Sequence, residues 1–329
     1  MKDRMWIAWE SQRRSRELAS YFGCSLHEIT VTGALRYPAS IFRTVALLLK
    51  HRPRVVFVQN PSMVLASLVV FWSLCSKSLS VVDRHTTFLL NRTSGITPWL
   101  IAFRAMHRFT LRYADVTIVT NAHLAQLVRE AGGNPVVLPD KLPTLAAAKD
   151  VPSLIGRGLK NVLLISSFAD DEPISEVVDA MSLIRHPREV HLFISGRVKI
   201  SFSRLVATAP TNVTFTNYLS EADYVSLVQT VDVVVALTTS DHTMLCGCYE
   251  AVAAGKPLVT SDKEVLREYF TAALFADNSA AGIAAAIDAA LGELEQRGCL
   301  MRELREELVP AWLVQAARLD RLVESMSTR

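Results

Sequence analysis

The feature that most restricts how this chain can fold is a repeated order: a short apolar run, a segment with helical spacing, then another apolar run. Runs at residues 5–9, 55–59, 79–82, 115–120 and 136–138 read as strands in the first half. Those at 161–166, 190–195, 213–215, 231–237, 257–260 and 273–275 do so in the second. Runs that are apolar throughout suit strands covered on both faces, and strands alternating with helices build parallel sheets with right-handed crossovers. Helices are expected at 41–49, 63–74, 122–131, 173–184 and 280–294, and an amphipathic one at 310–326, where Trp312, Leu313, Ala316, Leu319, Leu322 and Val323 recur at helical spacing. Between the two series, residues 139–160 hold three prolines and two glycines with little periodicity, which reads as a linker. The expected fold class is α/β, with two Rossmann-like parallel-sheet domains, 1–150 and 151–309, facing a cleft, and a closing helix, 310–329.

A chain of 329 residues has room for two such domains. Half of it is hydrophobic, yet no apolar run reaches the roughly 20 residues of a membrane-spanning helix. Residues 63–74 come nearest and are followed by Ser76 and Lys77. The N-terminus lacks a secretory pattern. Cys24, Cys75, Cys246, Cys248 and Cys299 form an odd, scattered set, which suggests reduced thiols and a cytoplasmic protein. Charge is uneven: residues 1–150 hold 19 Lys and Arg against 9 Asp and Glu, and residues 151–329 hold 16 against 23. The first half is therefore expected to face something anionic. With no nucleic-acid motif present, the apolar content favours a membrane surface, and the expected location is peripheral on its inner face.

In open parallel sheets, ligands gather beyond the carboxyl ends of the strands. Asn60 and the triplet Asp83-Arg84-His85 fall at two such ends. Arg13 and Arg14 follow the first strand at a helix start, where the dipole and the guanidinium groups can attract phosphate. In the second half, Ser167 and the pair Gly196-Arg197 follow strands. The stretch 237–262 reads as strand end, polar loop, short helix, Gly-Lys-Pro turn and strand. Its helix should run from near Gly247 to Gly255, a residue suited to a left-handed cap, with Pro257 preventing continuation. Asp241, His242, Thr243 and Met244 precede that helix and Glu250 lies inside it. His242, Cys246 and Cys248 lack the fourth ligand and the spacing of a zinc site.

These segments resemble the glycosyltransferases of the GT-B fold, in particular the group-1, family-4-like class, and the likeness implies that the closing helix, 310–329, returns to the first domain. The likeness rests on NVTFTNYLSEADYVSLVQTVDVVVAL followed by CYEAVAAGKPLVTSD. That class has Glu-x7-Glu before Ala-x-Ala-x-Gly-x-Pro. Glu250 falls on the second glutamate, which implies a carboxylate holding the ribose hydroxyls of a nucleotide; the first is replaced by His242. Residues 166–171, where the class places an Arg and a Lys against the donor pyrophosphate, are acidic here, so Arg197, Lys256 or the pair Arg13 and Arg14 would have to supply that charge.

VFVQNPSM and VVDRH are similar to the Gln-Asn-Pro-Pro and Asp-x-His-Asn pattern of β-mannosyltransferases that extend lipid-linked chitobiose. Gln59, Asn60, Pro61, Asp83 and His85 match it, and Ser62 and Thr86 depart. This likeness implies inverting transfer with Asp83 or His85 as general base. Together the resemblances imply a nucleotide-diphospho-sugar donor, a lipid-linked glycan or polysaccharide acceptor, no catalytic metal or other cofactor, and no nucleic-acid partner. The alternatives are a nucleotide-sugar epimerase of the same fold and a scaffold subunit that has lost transfer.

Overall fold

The computed structural model describes residues 3–60, 62–85, 97–146 and 159–328, with Asn60 described in its backbone only. Pro61, Thr86 and most of the expected linker lie outside the described residues. The chain forms two compact units, one of Met1–Lys141 with Ala311–Arg329 and one of Leu142–Pro310.

The first unit runs β1 (Arg4–Ala8), α1 (Arg13–Tyr21), β2 (Ser25–Glu28), α2 (Arg36–His51), β3 (Val55–Asn60), α3 (Met63–Cys75), β4 (Leu79–Arg84), α4 (Pro98–Tyr113), β5 (Val116–Val119), α5 (Ala122–Glu130) and β6 (Pro135–Val137). Among the described residues its strands form one six-stranded parallel sheet, ordered β2-β1-β3-β4-β5-β6. Successive side chains point to opposite faces. Trp6, Ala8, Phe57 and Val81 therefore pack on Leu18 and Phe22, whereas Met5, Ile7, Val56, Val58 and Val82 pack on the helices of the other layer. Fully covering a side chain of this size stabilises by about 1.5–3 kcal/mol. These positions supply the packing of the hydrogen-bonded sheet against its helices.

The second unit runs β7 (Lys160–Leu164), α6 (Ile174–Ala180), β8 (Val190–Ser195), α7 (Ser203–Thr208), β9 (Val213–Asn217), α8 (Glu221–Thr230), β10 (Val233–Ala236), α9 (Cys246–Ala254), β11 (Leu258–Ser261), α10 (Glu264–Tyr269), β12 (Leu274–Ala276) and α11 (Ala280–Gly292). Its described strands give a second six-stranded parallel sheet, ordered β12-β11-β10-β7-β8-β9. The order reverses at β7, because the chain moves outward through β8 and β9 and then returns to place β10 on β7's other edge. Such a reversal opens a crevice at the strand ends.

Three elements differ from expectation. β2 has no apolar run: its residues are half-buried or exposed at the sheet edge. α4 carries arginine at 104, 108 and 112, which interrupts its apolar spacing, and only Phe103, Thr110 and Leu111 are buried. The last helix, α12, does not begin at Pro310 but runs from Leu294 to Ser327 with that proline inside it. Proline removes one N–H from the helical ladder, so it marks a weak turn and not a start. Met301, Leu304 and Leu308 of α12 belong to the core of the second unit. Trp312, Ala316, Leu319 and Val323 cover the sheet of the first. Arg4 of β1 fixes this end, donating to Asp320 at 2.5 Å and to the Phe22 carbonyl at 3.1 Å. The expected return of the closing helix to the first domain is thus present, on a longer helix.

Candidate functional site

In the second unit the chemistry gathers where β7 and β10 end. Gly247 lies in the first turn of α9, close enough that a Cβ there would stand 2.9 Å from Ala236 Cβ and 3.0 Å from Ile165 Cβ. Only glycine lets the helix N-terminus lie this near the strand tips. At the other end of α9, Gly255 takes φ +63°, and Lys256 N–H donates to the Ala251 carbonyl at 3.0 Å, which closes the helix as expected.

Glu250, midway along α9, is 9 % exposed, and Tyr224 of α8 donates its hydroxyl to Oε2 at 2.5 Å. The tyrosine thereby fixes the carboxylate rotamer. Sequence reasoning missed Tyr224, because helical spacing within α8 does not reveal that this ring reaches α9.

The loop after β7 is a closed acidic knot. Glu172 accepts from Ser166 Oγ at 2.6 Å, from Ser167 N and Oγ, and from Ala169 N at 3.2 Å. Its carboxylate occupies a set of N–H donors of the kind that otherwise holds an anion. Ser167, expected to meet the donor, thus gives both its donors to Glu172. Phe168 within this turn takes φ +57° with its ring fully buried. That backbone region costs a bulky residue about 1–3 kcal/mol, and it is held by the ring's packing on Phe202 and by the Glu172 network. Asp171 joins this loop to the one after β10, accepting from Thr238 Oγ1 at 2.6 Å and, through its carbonyl, from Thr239 N at 2.6 Å.

The other expected donor residues lie around these loops. Gly196 takes φ +102° and its Cα packs on the Ser166 carbonyl, where a Cβ would stand 2.1 Å away. Arg197 beside it is exposed and makes no hydrogen bond or ion pair among the described residues. Asp241 is exposed and paired with Lys263 Nζ at 2.7 Å, a contact that holds its carboxyl below the usual range. His242 is half-buried in the same loop. Thr243 donates to Ser240 Oγ at 2.8 Å, and Met244 packs on the core beneath α9. Cys248 is sealed in that core, and burial pushes its thiol up to about 12, which makes it a poor metal ligand. Among the described residues there is no cluster of three His, Cys, Asp or Glu that could hold a metal.

In the first unit, Asp83 and His85 do come together at the end of β4, but with changed prospects. Asp83 is 1 % exposed and Arg14 embraces it, with Nε donating at 3.0 and 3.1 Å and Nη2 at 2.8 Å. Arg14 also donates to Asp140 at 2.6 Å and to the Leu138 carbonyl at 3.0 Å. Burial alone would raise the Asp83 carboxyl; the guanidinium outweighs it and holds the group well below the ordinary carboxylate range. The structure thus gives the Arg14 guanidinium internal partners in Asp83, Asp140 and the Leu138 carbonyl, and it pairs Asp83 with that cation. His85 Nδ1 lies 3.4 Å from Asp83 Oδ2, within ion-pair distance of the carboxylate.

Arg13 stays partly exposed beside Glu17 at 3.6 Å. Gln59 Nε2 is buried next to Asp83 in register, without a hydrogen-bond partner among the described residues. Arg84, on the opposite face of β4, reaches His107 Nδ1 and Thr110 Oγ1, both at 3.0 Å, and so anchors α4.

Comparison with known proteins agrees with this architecture. Residues 7–139 match the family described as "Glycosyl transferase 4-like domain", and residues 159–293 match "Glycosyl transferases group 1". The two matches, both to glycosyltransferase domains, together span most of the chain, and its fold is that of the GT-B class. The structure is similar to sucrose-phosphate synthase from Thermosynechococcus elongatus, with TM-score 0.76, 16% identity, and 98% and 99% of the two chains covered. It is also similar to Anabaena HepE, solved with UDP and glucose, with TM-score 0.73, 14% identity, and 98% and 92% covered. The pneumococcal O-GlcNAc transferase GtfA, solved with UDP and GlcNAc, matches at TM-score 0.59 and 15% identity over 83% of this chain and 56% of its own. No curated protein sequence matches the chain.

Proposed function

We propose that the protein moves a hexose from a nucleotide-diphospho-sugar to a lipid-linked or polysaccharide acceptor in the making of cell-surface glycans. The observation that carries this reading is Glu250, a buried carboxylate held by Tyr224 beside the crevice of the second sheet. One carboxylate there can accept from both ribose hydroxyls. Arg197, free of other partners among the described residues, is the cation best suited to the diphosphate. In the first unit His85 serves as the base. The acceptor oxygen attacks the anomeric carbon, its proton passes to the imidazole nitrogen not facing Asp83, and the nucleoside diphosphate leaves.

The knot around Glu172 supports a second reading, a scaffold of the same fold that binds no donor, because it fills the donors that a diphosphate would otherwise meet. Calorimetry with UDP-, GDP- and dTDP-sugars separates the two. The transferase binds one of them, and Glu250→Ala weakens that binding at least about tenfold, the loss of one charge-assisted hydrogen bond. His85→Ala leaves donor binding in place and lowers kcat by about 10²–10⁴. Silence across the whole panel would decide for the scaffold.

A further inference from the structure

Between Ile29 and Ala114 the sequence holds 11 Lys and Arg and a single acidic residue, Asp83. That one carboxylate is buried against Arg14 and projects no charge outward. Helices α2, α3 and α4 lie within this stretch and contain no Asp or Glu. They share one face of the sheet: Leu48 of α2, Leu65 and Val69 of α3 and Phe109 of α4 pack into one cluster with Met5 and Ile7.

The outward side of these helices is unusual. Leu35, at the cap of α2, and Phe42 and Leu49 recur every seventh residue, so they form one line along the helix, and Phe42 is 75% exposed. Arg36, Arg43 and Lys50 each follow by one residue and make a parallel line about 100° around the same helix, with Arg36 paired to Glu10 at 2.7 Å and Arg43 and Lys50 exposed. On α4, exposed Trp99 and Ile101 precede Arg104, Arg108 and Arg112, and Phe71 and Leu74 are exposed near the end of α3. A solvated helix carries its apolar residues inward; here large apolar side chains stand outward beside a row of cations.

We infer that this face of α2 and α4 docks on an anionic phospholipid bilayer, with Phe42 and Leu49 entering the boundary between headgroups and acyl chains and the arginines and Lys50 meeting lipid phosphates. A nucleic acid would use the charge and leave the apolar line unused. A second copy of this chain would bring like-charged rows together, which repel. The inference rests on the reading of a lipid-linked acceptor only for its purpose, since bilayer binding is measured without donor or acceptor.

The test is flotation of the full chain with vesicles of phosphatidylcholine alone or with about 30% phosphatidylglycerol, at low and high salt. Binding is expected only to the anionic vesicles and should weaken with salt. Phe42→Ser with Leu49→Ser should lower partitioning at least about tenfold, and Arg43→Gln or Lys50→Gln about fivefold each. Leu313→Ser, an exposed change on α12, should leave it unaltered. Donor calorimetry on the unaltered chain keeps the readings apart: no flotation with donor binding present sinks this inference alone, and no donor binding with flotation present sinks the transferase alone. Equal binding to neutral vesicles overturns the inference. So does flotation indifferent to Phe42 and Leu49, or a dimer in sedimentation that the same double change dissociates.

Discussion

Arg14 uses its guanidinium on two carboxylates and a carbonyl inside the protein, so its removal leaves Asp83 as an uncompensated buried charge. Arg14→Met is expected to cost about 3–5 kcal/mol in urea unfolding, well beyond a surface ion pair. The pH dependence follows from the direction of the shift. Asp83 is held below its unfolded value of about 3.9, so its contribution is present above that pH and disappears as pH falls beneath it. His107 acts in a higher window. Burial, with help from Arg84 and Arg108, pushes it down to about 4. The unfolded chain then binds the proton more readily, so stability is full above about pH 6.5 and declines from there towards pH 4. His107→Gln should flatten that decline in melting temperature while keeping the loss at more acid pH.

At the level of elements, the approach of α9 to the strand tips sets the position of Glu250, the residue proposed to hold the donor. Gly247→Ala would place its Cβ 2.9 Å from Ala236 and push the first turn away. The expected cost is about 1–3 kcal/mol in denaturant unfolding, with donor affinity falling in calorimetry because Glu250 rides on the same helix. This helix was legible in the sequence: Gly255 and Pro257 end it through backbone geometry alone, and β8 follows from one apolar run with the bounds expected. Edge strand β2 was not, because half-exposed residues carry no alternation. Nor was the Glu172 knot, which depends on the left-handed turn at Phe168. The Arg14–Asp83 pair joins residues 69 apart, and only strand alternation turns Asp83 towards α1. Sequence therefore placed both residues at strand and helix ends, and missed that they neutralise each other.

On the scale of the whole molecule, the first unit is discontinuous: Met1–Lys141 is completed by Ala311–Arg329. Trp312, Ala316, Leu319 and Val323 cover Trp6, Phe57 and Val81, and Trp312 Nε1 donates to the Pro139 carbonyl at 3.0 Å. A chain stopped after Pro310 should therefore expose an apolar sheet face in the first unit, bind a hydrophobic dye and aggregate. Leu142–Pro310 should keep its own core. The same arrangement sets an order of events during synthesis. At roughly 5–20 residues per second, the ribosome needs about 10–30 seconds to add the intervening segment. For that interval the first sheet waits, largely made and uncovered, for the last helix of its own chain. That waiting period, more than any weakness of the finished fold, is where a holding chaperone would matter to this protein.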